Sequence, residues 1–187
     1  DYDELAPLID QKALAEFRAR ALNPDHPVIR GTAENPDVYF QHCEAANPFY
    51  NALPDIVQDY MDKISKLTGR SYHLFDYYGA PDADRIVIAI GSVTDICKDV
   101  TDALNAHGEK VGVLNVHLYR PFSVKHFLSQ IPETVKKIAV LDRTREPGAI
   151  GEPLYLDVVS AIASSGRSIK VCGGRYGLGS KDVIPED

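Results

Sequence analysis

The chain has 187 residues and a formal net charge of −7, from 20 Lys and Arg against 27 Asp and Glu. This length fits one domain with an additional flanking layer, and 44% hydrophobic and 25% charged residues are typical of a globular protein. An acidic chain without basic clusters argues against nucleic-acid binding, and no apolar run reaches the ~18 residues of a membrane span.

Three cysteines, Cys43, Cys97 and Cys172, lie far apart in the sequence. They form neither a CxxC metal pair nor an even-numbered disulfide framework, so we expect a reducing, cytoplasmic location. The first ten residues, DYDELAPLID, also lack the basic and apolar regions of a secretory signal.

Charge and glycine divide the chain near residue 80. Residues 1–80 contain 13 acidic and 7 basic residues and only 3 of the 13 glycines, whereas residues 81–187 contain 14 acidic and 13 basic residues and the other 10 glycines. This difference predicts a helical and loop extension over 1–80 and a second, α/β domain over 81–187, joined at the turn-like sequence Tyr78–Pro81.

The first part is predicted to contain two helices separated by a long irregular loop. Asp10 can cap a helix that runs to about residue 21, and apolar positions repeat with helical spacing over Leu53–Leu67, with Pro54 in the first turn. Between these helices, residues 23–48 contain four prolines, which would break any continuous helix.

The second part alternates short apolar runs with amphipathic segments, a pattern that is typical of β-α units. The strands have no polar alternation, which indicates a mostly parallel sheet that is covered by helices on both faces, a three-layer αβα fold. The predicted order is strand near 85–90, helix near 93–104, strand near 111–117, helix near 123–128, strand near 137–141, helix from 153, and strand near 169–172.

Ligands of open α/β sheets bind beyond the carboxyl ends of the strands, where four loops of this chain are expected to meet. Three of these loops carry arginine, which can hold a phosphate or carboxylate through paired N–H groups. Surface ion pairs and contacts between domains use the same residue type, so both interpretations remain open. The candidate anion or interface residues are Gly91, Ser92, Arg120, Arg143, Arg145 and Arg175.

No catalytic or metal-ligating group emerges from the other motifs. The glycine-rich sequence at 173–179 follows the last predicted strand without a helical pattern after it, which favours a turn over a phosphate loop. His42 and Cys43 are adjacent, so their side chains diverge in most backbones and do not form a nucleophilic pair.

Long motifs extend over nearly the whole chain. They are IRGTAENPDVYFQ at 29–41, EAAN at 44–47, LFDYYGAP at 74–81, LYRPF at 118–122, VLDRT at 140–144, EPG at 146–148, GEPLY at 151–155 and GGRYGLGSK at 173–181. In these motifs the chain resembles the pyruvate:ferredoxin (flavodoxin) oxidoreductase family. The resemblance implies an internal piece of a polypeptide several times longer, comprising the end of the thiamine-binding region and a domain similar to the C-terminal domain of transketolase.

The resemblance implies that the parent enzyme oxidises pyruvate with coenzyme A to acetyl-coenzyme A and CO₂, and that electrons pass to ferredoxin or flavodoxin. It further implies thiamine diphosphate with Mg²⁺, [4Fe–4S] clusters and a homodimer. Three isolated cysteines cannot supply a Cys₄ cluster site, and no GDG-type thiamine diphosphate motif is present. We therefore expect no cofactor and no catalytic residue on this piece, which would be inactive alone and pack between other domains.

Two alternatives remain open at this point. One is the equivalent domain of another 2-oxoacid oxidoreductase or of an E1 β-type dehydrogenase, although the long motif that includes Arg30 favours the pyruvate enzyme. The other is a free-standing module that binds a small anion.

Overall fold

A computed structural model describes residues 1–29, 31 and 33–186. Arg30 and Thr32, which belong to the motif at 29–41, and Asp187 lie outside the described residues. The chain forms two compact units, Asp1–Tyr72 and the part from His73 onward. Within the described residues, no helix is both long and apolar enough to cross a membrane.

The first unit is helical. The Asp10 carboxylate accepts a hydrogen bond of 2.9 Å from the backbone N–H of Ala13 and caps a helix as predicted, and that helix ends two residues before the predicted end. Pro54 is the one buried residue among the described residues of this unit. The helices are α1 Tyr2–Leu5, followed by a 3₁₀ turn at Ala6–Leu8, then α2 Gln11–Ala19, α3 Pro36–Ala45 and α4 Asn47–Thr68.

Two helix boundaries in this unit correct the sequence-based expectation. The helix α3 lies inside the segment that was predicted to be irregular, because Pro36 occupies its first turn, where the missing N–H costs nothing. The helix α4 begins at Asn47 with Pro48 in its first turn, so Pro54 lies inside the helix instead of opening it. Gly69 ends α4 in a left-handed conformation and donates its N–H to the carbonyl of Ser65 at 2.9 Å.

The second unit is an α/β domain with a five-stranded sheet in the order β1-β3-β2-β4-β5. Strands β3, β2, β4 and β5 are parallel, and β1 joins β3 antiparallel at the edge. The elements are β1 Phe75–Gly79, β2 Arg85–Ala89, α5 Val93–Ala106, β3 Val111–Val116, α6 Val124–Ser129, β4 Lys137–Asp142, α7 Pro153–Ser165, β5 Lys170–Arg175 and a 3₁₀ turn at Leu178–Ser180.

The strand β1 was not predicted, and the second compact unit, which includes it, begins at His73, eight residues before the predicted start at 81. Its register runs from Phe75 opposite Val116 to Gly79 opposite Gly112. At Gly79 the backbone has φ +128°, and a Cβ there would lie 2.6 Å from the Cα of Gly112. A side chain at this position would therefore collide with the neighbouring strand, so glycine is required here.

Helices cover both faces of this sheet, as the three-layer αβα prediction requires. On β4, Ile138, Val140 and Asp142 are buried, and Asp142 bonds to the first turn of α7 on that face. Successive side chains of a strand point to opposite faces, so Ala139 and Leu141 face the side where α5 lies. The helix α5 packs against β3, β1 and β2, whereas α7 packs against β4, β5 and α6.

Candidate functional site

The parallel strands bring four loops to one edge of the sheet, as predicted. The strands β2 and β4 are neighbours in the sheet. From β2 the chain passes through α5 to β3, which lies on one side of this pair, and from β4 it passes through α7 to β5, which lies on the other side. Neighbouring strands whose connections diverge in this way leave a crevice between them, which is the usual ligand position in open α/β sheets.

A cavity of about 480 Å³ occupies this crevice. It receives residues from all four loops, and Tyr176, from the loop after β5, reaches across it to donate its hydroxyl proton to the carbonyl of Ile90 at 3.3 Å. The lining residues are Ile90, Gly91, Ser92, Tyr119, Leu141, Asp142, Arg143, Thr144, Pro153, Leu154 and Tyr176. We call this space the edge cavity.

Two predicted residues, Gly91 and Ser92, lie where α5 begins beside the edge cavity. Gly91 has φ +82°, which turns the chain sharply from β2 into the helix. Its carbonyl accepts the Thr94 hydroxyl at 2.7 Å and the Thr94 N–H at 3.1 Å. The Ser92 side chain makes no capping hydrogen bond, so its hydroxyl does not satisfy the first N–H groups of α5.

The start of α7 is already occupied by a carboxylate from within the chain. Asp142, only 6% exposed, accepts the N–H of Leu154 at 3.0 Å on one oxygen and the N–H of Tyr155 at 3.1 Å on the other. A negative charge at a helix N-terminus satisfies free N–H groups and complements the helix dipole. Of these two helices, α7 therefore has a carboxylate at its N-terminus, whereas α5 begins beside the edge cavity without a side chain that accepts its N–H groups.

Arg120 and Arg175 are each committed to an ion pair beside the edge cavity. Arg120 donates to Asp157 at 2.6 Å and lies over the Tyr119 ring, with its guanidinium carbon 3.9 Å from the ring centre. Arg175 donates to the buried carboxylate of Glu152. In both cases a carboxylate of this chain already binds the guanidinium group that the sequence analysis considered for a phosphate or carboxylate ligand.

These contacts shift two pKa values in opposite directions. The hydrogen bond from Arg175 holds the pKa of the Glu152 carboxyl below its ordinary value, and the Glu146 N–H at 2.7 Å acts in the same direction against the effect of burial. Burial, followed by the hydrogen bond to Asp157, raises the pKa of Tyr119 to about 12. Glu152 is therefore a fixed negative charge and Tyr119 a fixed neutral donor at neutral pH.

Arg143 differs from these arginines. Its Nε donates to the carbonyl of Gly177 at 3.2 Å, which anchors the side chain at the edge cavity, and it forms no ion pair with any residue that the structure describes. Arg145 is exposed and does not line the edge cavity, but its charge helps to lower the pKa of Glu152. Of the predicted residues, the structure therefore brings Gly91, Ser92 and Arg143 together in the edge cavity.

Sequence reasoning missed the two carboxylates that pair with Arg120 and Arg175, which are Asp157 and Glu152, and it also missed the roles of Asp142 and Tyr176 at this edge of the sheet. Asp142 could have been noticed because it ends a strand directly before a loop that leads to a helix, and Glu152 because it precedes the helix-opening Pro153. Asp157 and Tyr176 carried no comparable signal, since one lies inside a helix and the other in a loop.

A mostly parallel sheet with helices on both faces and loops meeting at a crevice defines a doubly wound α/β domain. Residues 83–187 match the family described as pyruvate:ferredoxin oxidoreductase core domain II. Residues 1–62 match the family described as pyruvate flavodoxin/ferredoxin oxidoreductase, thiamine diphosphate-binding. The chain belongs to the pyruvate:ferredoxin oxidoreductase family.

Three relatives are similar to this chain over nearly its whole length. The pyruvate-flavodoxin oxidoreductase of Enterobacter agglomerans is 63% identical over 185 residues, and that of Klebsiella pneumoniae is 62% identical over 187 residues. The pyruvate:ferredoxin oxidoreductase of Moorella thermoacetica is 55% identical over 185 residues. The alignments cover 99%, 100% and 99% of this chain but only 16% of each relative.

Among solved structures, 2-oxoglutarate:ferredoxin oxidoreductase from Magnetococcus marinus matches with a TM-score of 0.42 and 20% identity. The match covers 66% of this chain and 19% of that one.

Proposed function

We propose that this chain is part of a longer enzyme that oxidises pyruvate with coenzyme A to acetyl-coenzyme A and CO₂. The two electrons released pass to ferredoxin or flavodoxin. The observation that supports this proposal is the 63% identity to a pyruvate-flavodoxin oxidoreductase over 99% of the chain, which covers both of its units. The relatives' names favour pyruvate over another 2-oxoacid as the substrate.

In this proposal the cofactors bind to other segments of the longer polypeptide. Thiamine diphosphate with Mg²⁺ would stabilise the carbanion formed from pyruvate, and [4Fe–4S] clusters would carry the electrons. Cys43, Cys97 and Cys172 lie on α3, α5 and β5 and are fewer than the four thiolates that one such cluster needs. The longer enzyme is proposed to be a cytoplasmic homodimer.

The role proposed for this chain itself is to pack between other domains and to complete the rim of an anion site. Arg120 and Arg175 support the packing part, because their charges are already neutralised by Asp157 and Glu152. Arg143 supports the anion part, because its guanidinium lines the edge cavity without a carboxylate partner among the described residues. An anionic group of a substrate, of coenzyme A or of a neighbouring domain would complete its hydrogen bonding.

Two experiments test the proposal. The isolated chain, supplied with thiamine diphosphate, Mg²⁺, pyruvate, coenzyme A and an electron acceptor, should form no acetyl-coenzyme A, and measurable turnover would contradict the assignment of catalysis to other segments. The full-length gene product should reduce ferredoxin or flavodoxin only when pyruvate and coenzyme A are both present.

The variant Arg143→Ala of the full-length enzyme should raise the KM for pyruvate or coenzyme A by about tenfold or more, since a charge-assisted hydrogen bond contributes roughly 1.5–3 kcal/mol. Arg143→Lys, which keeps the charge but loses the planar fork, should recover part of this loss. The matched control is Arg120→Ala, which should leave both KM values unchanged. A fall in stability or assembly without any change in KM would assign Arg143 to packing between domains.

A further inference from the structure

The glycine-rich segment after β5 carries a tyrosine that is tied to two other strands. Tyr176 donates its N–H to the carbonyl of Asp142 at 3.2 Å, at the end of β4, and its hydroxyl to the carbonyl of Ile90 at 3.3 Å, just after β2. Burial raises the pKa of this hydroxyl, while the charge of Arg143 acts in the opposite direction. The hydroxyl is therefore a protonated donor at neutral pH, and the residue is held at its backbone and at the tip of its side chain.

The next residue, Gly177, lies directly against the side chain of Arg143. Gly177 is buried and has φ +61°, a left-handed conformation, and its carbonyl accepts the Nε–H of Arg143 at 3.2 Å. A Cβ at this position would lie 3.1 Å from that Nε and 3.4 Å from two carbons of the same side chain. The absence of a side chain at Gly177 therefore allows the arginine to approach the backbone of the loop.

The contact with Gly177 uses only one of the five N–H groups of Arg143. Within the part of the chain that the structure describes, its Nη1 and Nη2 groups donate no hydrogen bond, although the residue lines the edge cavity. Because the Nε edge is occupied, the parallel N–H groups that remain for bidentate binding are those of the Nη1–Nη2 end. Their spacing matches two oxygens of a carboxylate or of a phosphate.

A hydrogen bond at Nε prepares this arginine for an anion without neutralising it. An exposed arginine has many rotamers, and ordering them on binding costs conformational entropy that opposes association. The Gly177 carbonyl restricts these rotamers before a ligand arrives, and it is uncharged, unlike the carboxylates that bind Arg120 and Arg175. Arg143 therefore combines a restricted orientation with an available positive charge.

We propose that Tyr176 and Gly177 are positioning residues that hold Arg143 so that its Nη1–Nη2 end binds a carboxylate or phosphate group in the edge cavity. The orientation of Arg143 follows from contacts within this chain. The identity of the ligand rests on the proposed function, in which the anionic group belongs to pyruvate or to coenzyme A.

The orientation is tested in the 187-residue chain by the rate at which the Nε–H of Arg143 exchanges with water, measured by proton–nitrogen NMR and assigned with Arg143→Lys. This rate should be about tenfold lower than that of Arg145, which is exposed and donates no hydrogen bond among the described residues. Tyr176→Phe should raise it about threefold, and Gly177→Ala should raise it to nearly the Arg145 rate. The matched control is Gly179→Ala, since φ is +64° there but a Cβ would meet nothing within 4 Å.

The backbone amide spectrum of each variant verifies that the sheet is folded. If Gly177→Ala does not fold, Tyr176→Phe decides the question alone, because it removes only a hydroxyl group. An Arg143 rate that equals the Arg145 rate in the wild type, or that neither variant changes, would overturn the proposal.

The consequence for binding is tested in the full-length enzyme through the KM for pyruvate and for coenzyme A. Tyr176→Phe and Gly177→Ala should raise one of these by about threefold to tenfold and leave kcat nearly unchanged, whereas Gly179→Ala should change neither. A raised KM for pyruvate would identify a bound carboxylate, and a raised KM for coenzyme A would identify a bound phosphate. In the second case, 3′-dephospho-coenzyme A distinguishes the phosphates, because variant and wild type should still differ with it only if the diphosphate binds.

A double-mutant cycle separates positioning from a general structural effect. In the Arg143→Ala background, Tyr176→Phe should have no further effect on KM, because the group that it positions is absent. An equal effect of Tyr176→Phe with and without Arg143 would overturn the proposal, and so would a KM that rises in Arg143→Ala but not in the Tyr176 and Gly177 variants. If Arg143→Ala itself changes neither KM, the proposed anion role of Arg143 is wrong and the ligand assignment fails with it. The exchange rates distinguish that failure from a loss of positioning, since they require no ligand and no turnover.

Discussion

Replacing Asp142 with alanine would remove both acceptors that hold the start of α7. Each carboxylate oxygen accepts one backbone N–H, at 3.0 Å from Leu154 and 3.1 Å from Tyr155, and the side chain is only 6% exposed. Water therefore cannot readily replace the lost acceptors, and two donors would be left unsatisfied.

The expected cost of Asp142→Ala is about 2–4 kcal/mol of unfolding free energy. Hydrogen bonds to a charged group contribute roughly 1.5–3 kcal/mol each, and the loss of a helix cap costs up to about 2 kcal/mol, but the two contributions overlap. For a domain of this size the melting temperature should fall by about 10 °C or more. Asp142→Asn keeps one acceptor oxygen and removes the charge, so its cost should lie between those of the wild type and the alanine variant.

Two measurements on the second unit test this reasoning. Urea titration gives the change in unfolding free energy, and native-state hydrogen exchange should show faster exchange in the first turn of α7 than in the strands. The control is Asp99→Ala, since Asp99 is exposed on α5 and its removal should change stability by less than about 0.5 kcal/mol. If Asp142→Ala costs no more than this control, the cap does not stabilise the helix and the argument is wrong.

Two further predictions concern the Arg175–Glu152 ion pair and the contact between Gly79 and Gly112. Glu152→Gln should lower the free energy of unfolding at pH 7, because the contact with Arg175 lowers the pKa of Glu152 in the folded state. The difference in stability from wild type should shrink as the pH falls from the ordinary pKa of 4.5 toward that lowered pKa. A difference that grows on acidification would contradict this sign. Gly79→Ala should destabilise the domain by about 1–3 kcal/mol, because φ is +128° and the new Cβ would meet Gly112 at 2.6 Å. Its control, Gly148→Ala, has φ +80° but nothing within 4 Å, so thermal unfolding should show a smaller loss, and equal losses would rule out the strand contact as the cause.

Much of the α/β unit could be predicted because its strands are short, continuous apolar runs. The run at 85–90 could be interpreted without a partner, since only a buried strand accommodates so many apolar residues in so short a segment. The edge strand Phe75–Gly79 could not be predicted from its own residues, because Asp76 interrupts its apolar pattern. Its pairing also depends on Val111–Val116, far along the chain. Propensity is a weak guide where cross-strand contacts decide the conformation.

The position of the candidate site was also predictable, but its chemistry was only partly so. The rule that parallel strands end at one edge was enough to bring Gly91, Ser92 and Arg143 together. The ion pairs of Arg120 and Arg175 join residues 37 and 23 positions apart on different elements, and no local pattern indicates such partners. The distinction between an occupied and an available arginine therefore required the fold.

The first unit has a single buried residue, Pro54, among those that the structure describes, and this has a consequence for calorimetry. Unfolding enthalpy and heat capacity come from surface that folding removes from water, and the helices α1 to α4 bury little by themselves. At about 0.7 kcal/mol per residue, the 187-residue chain should absorb about 80 kcal/mol near 60 °C, the value for its second unit of about 115 residues, instead of about 130 kcal/mol for the whole chain. A scan of this chain would thus report the melting of the sheet alone.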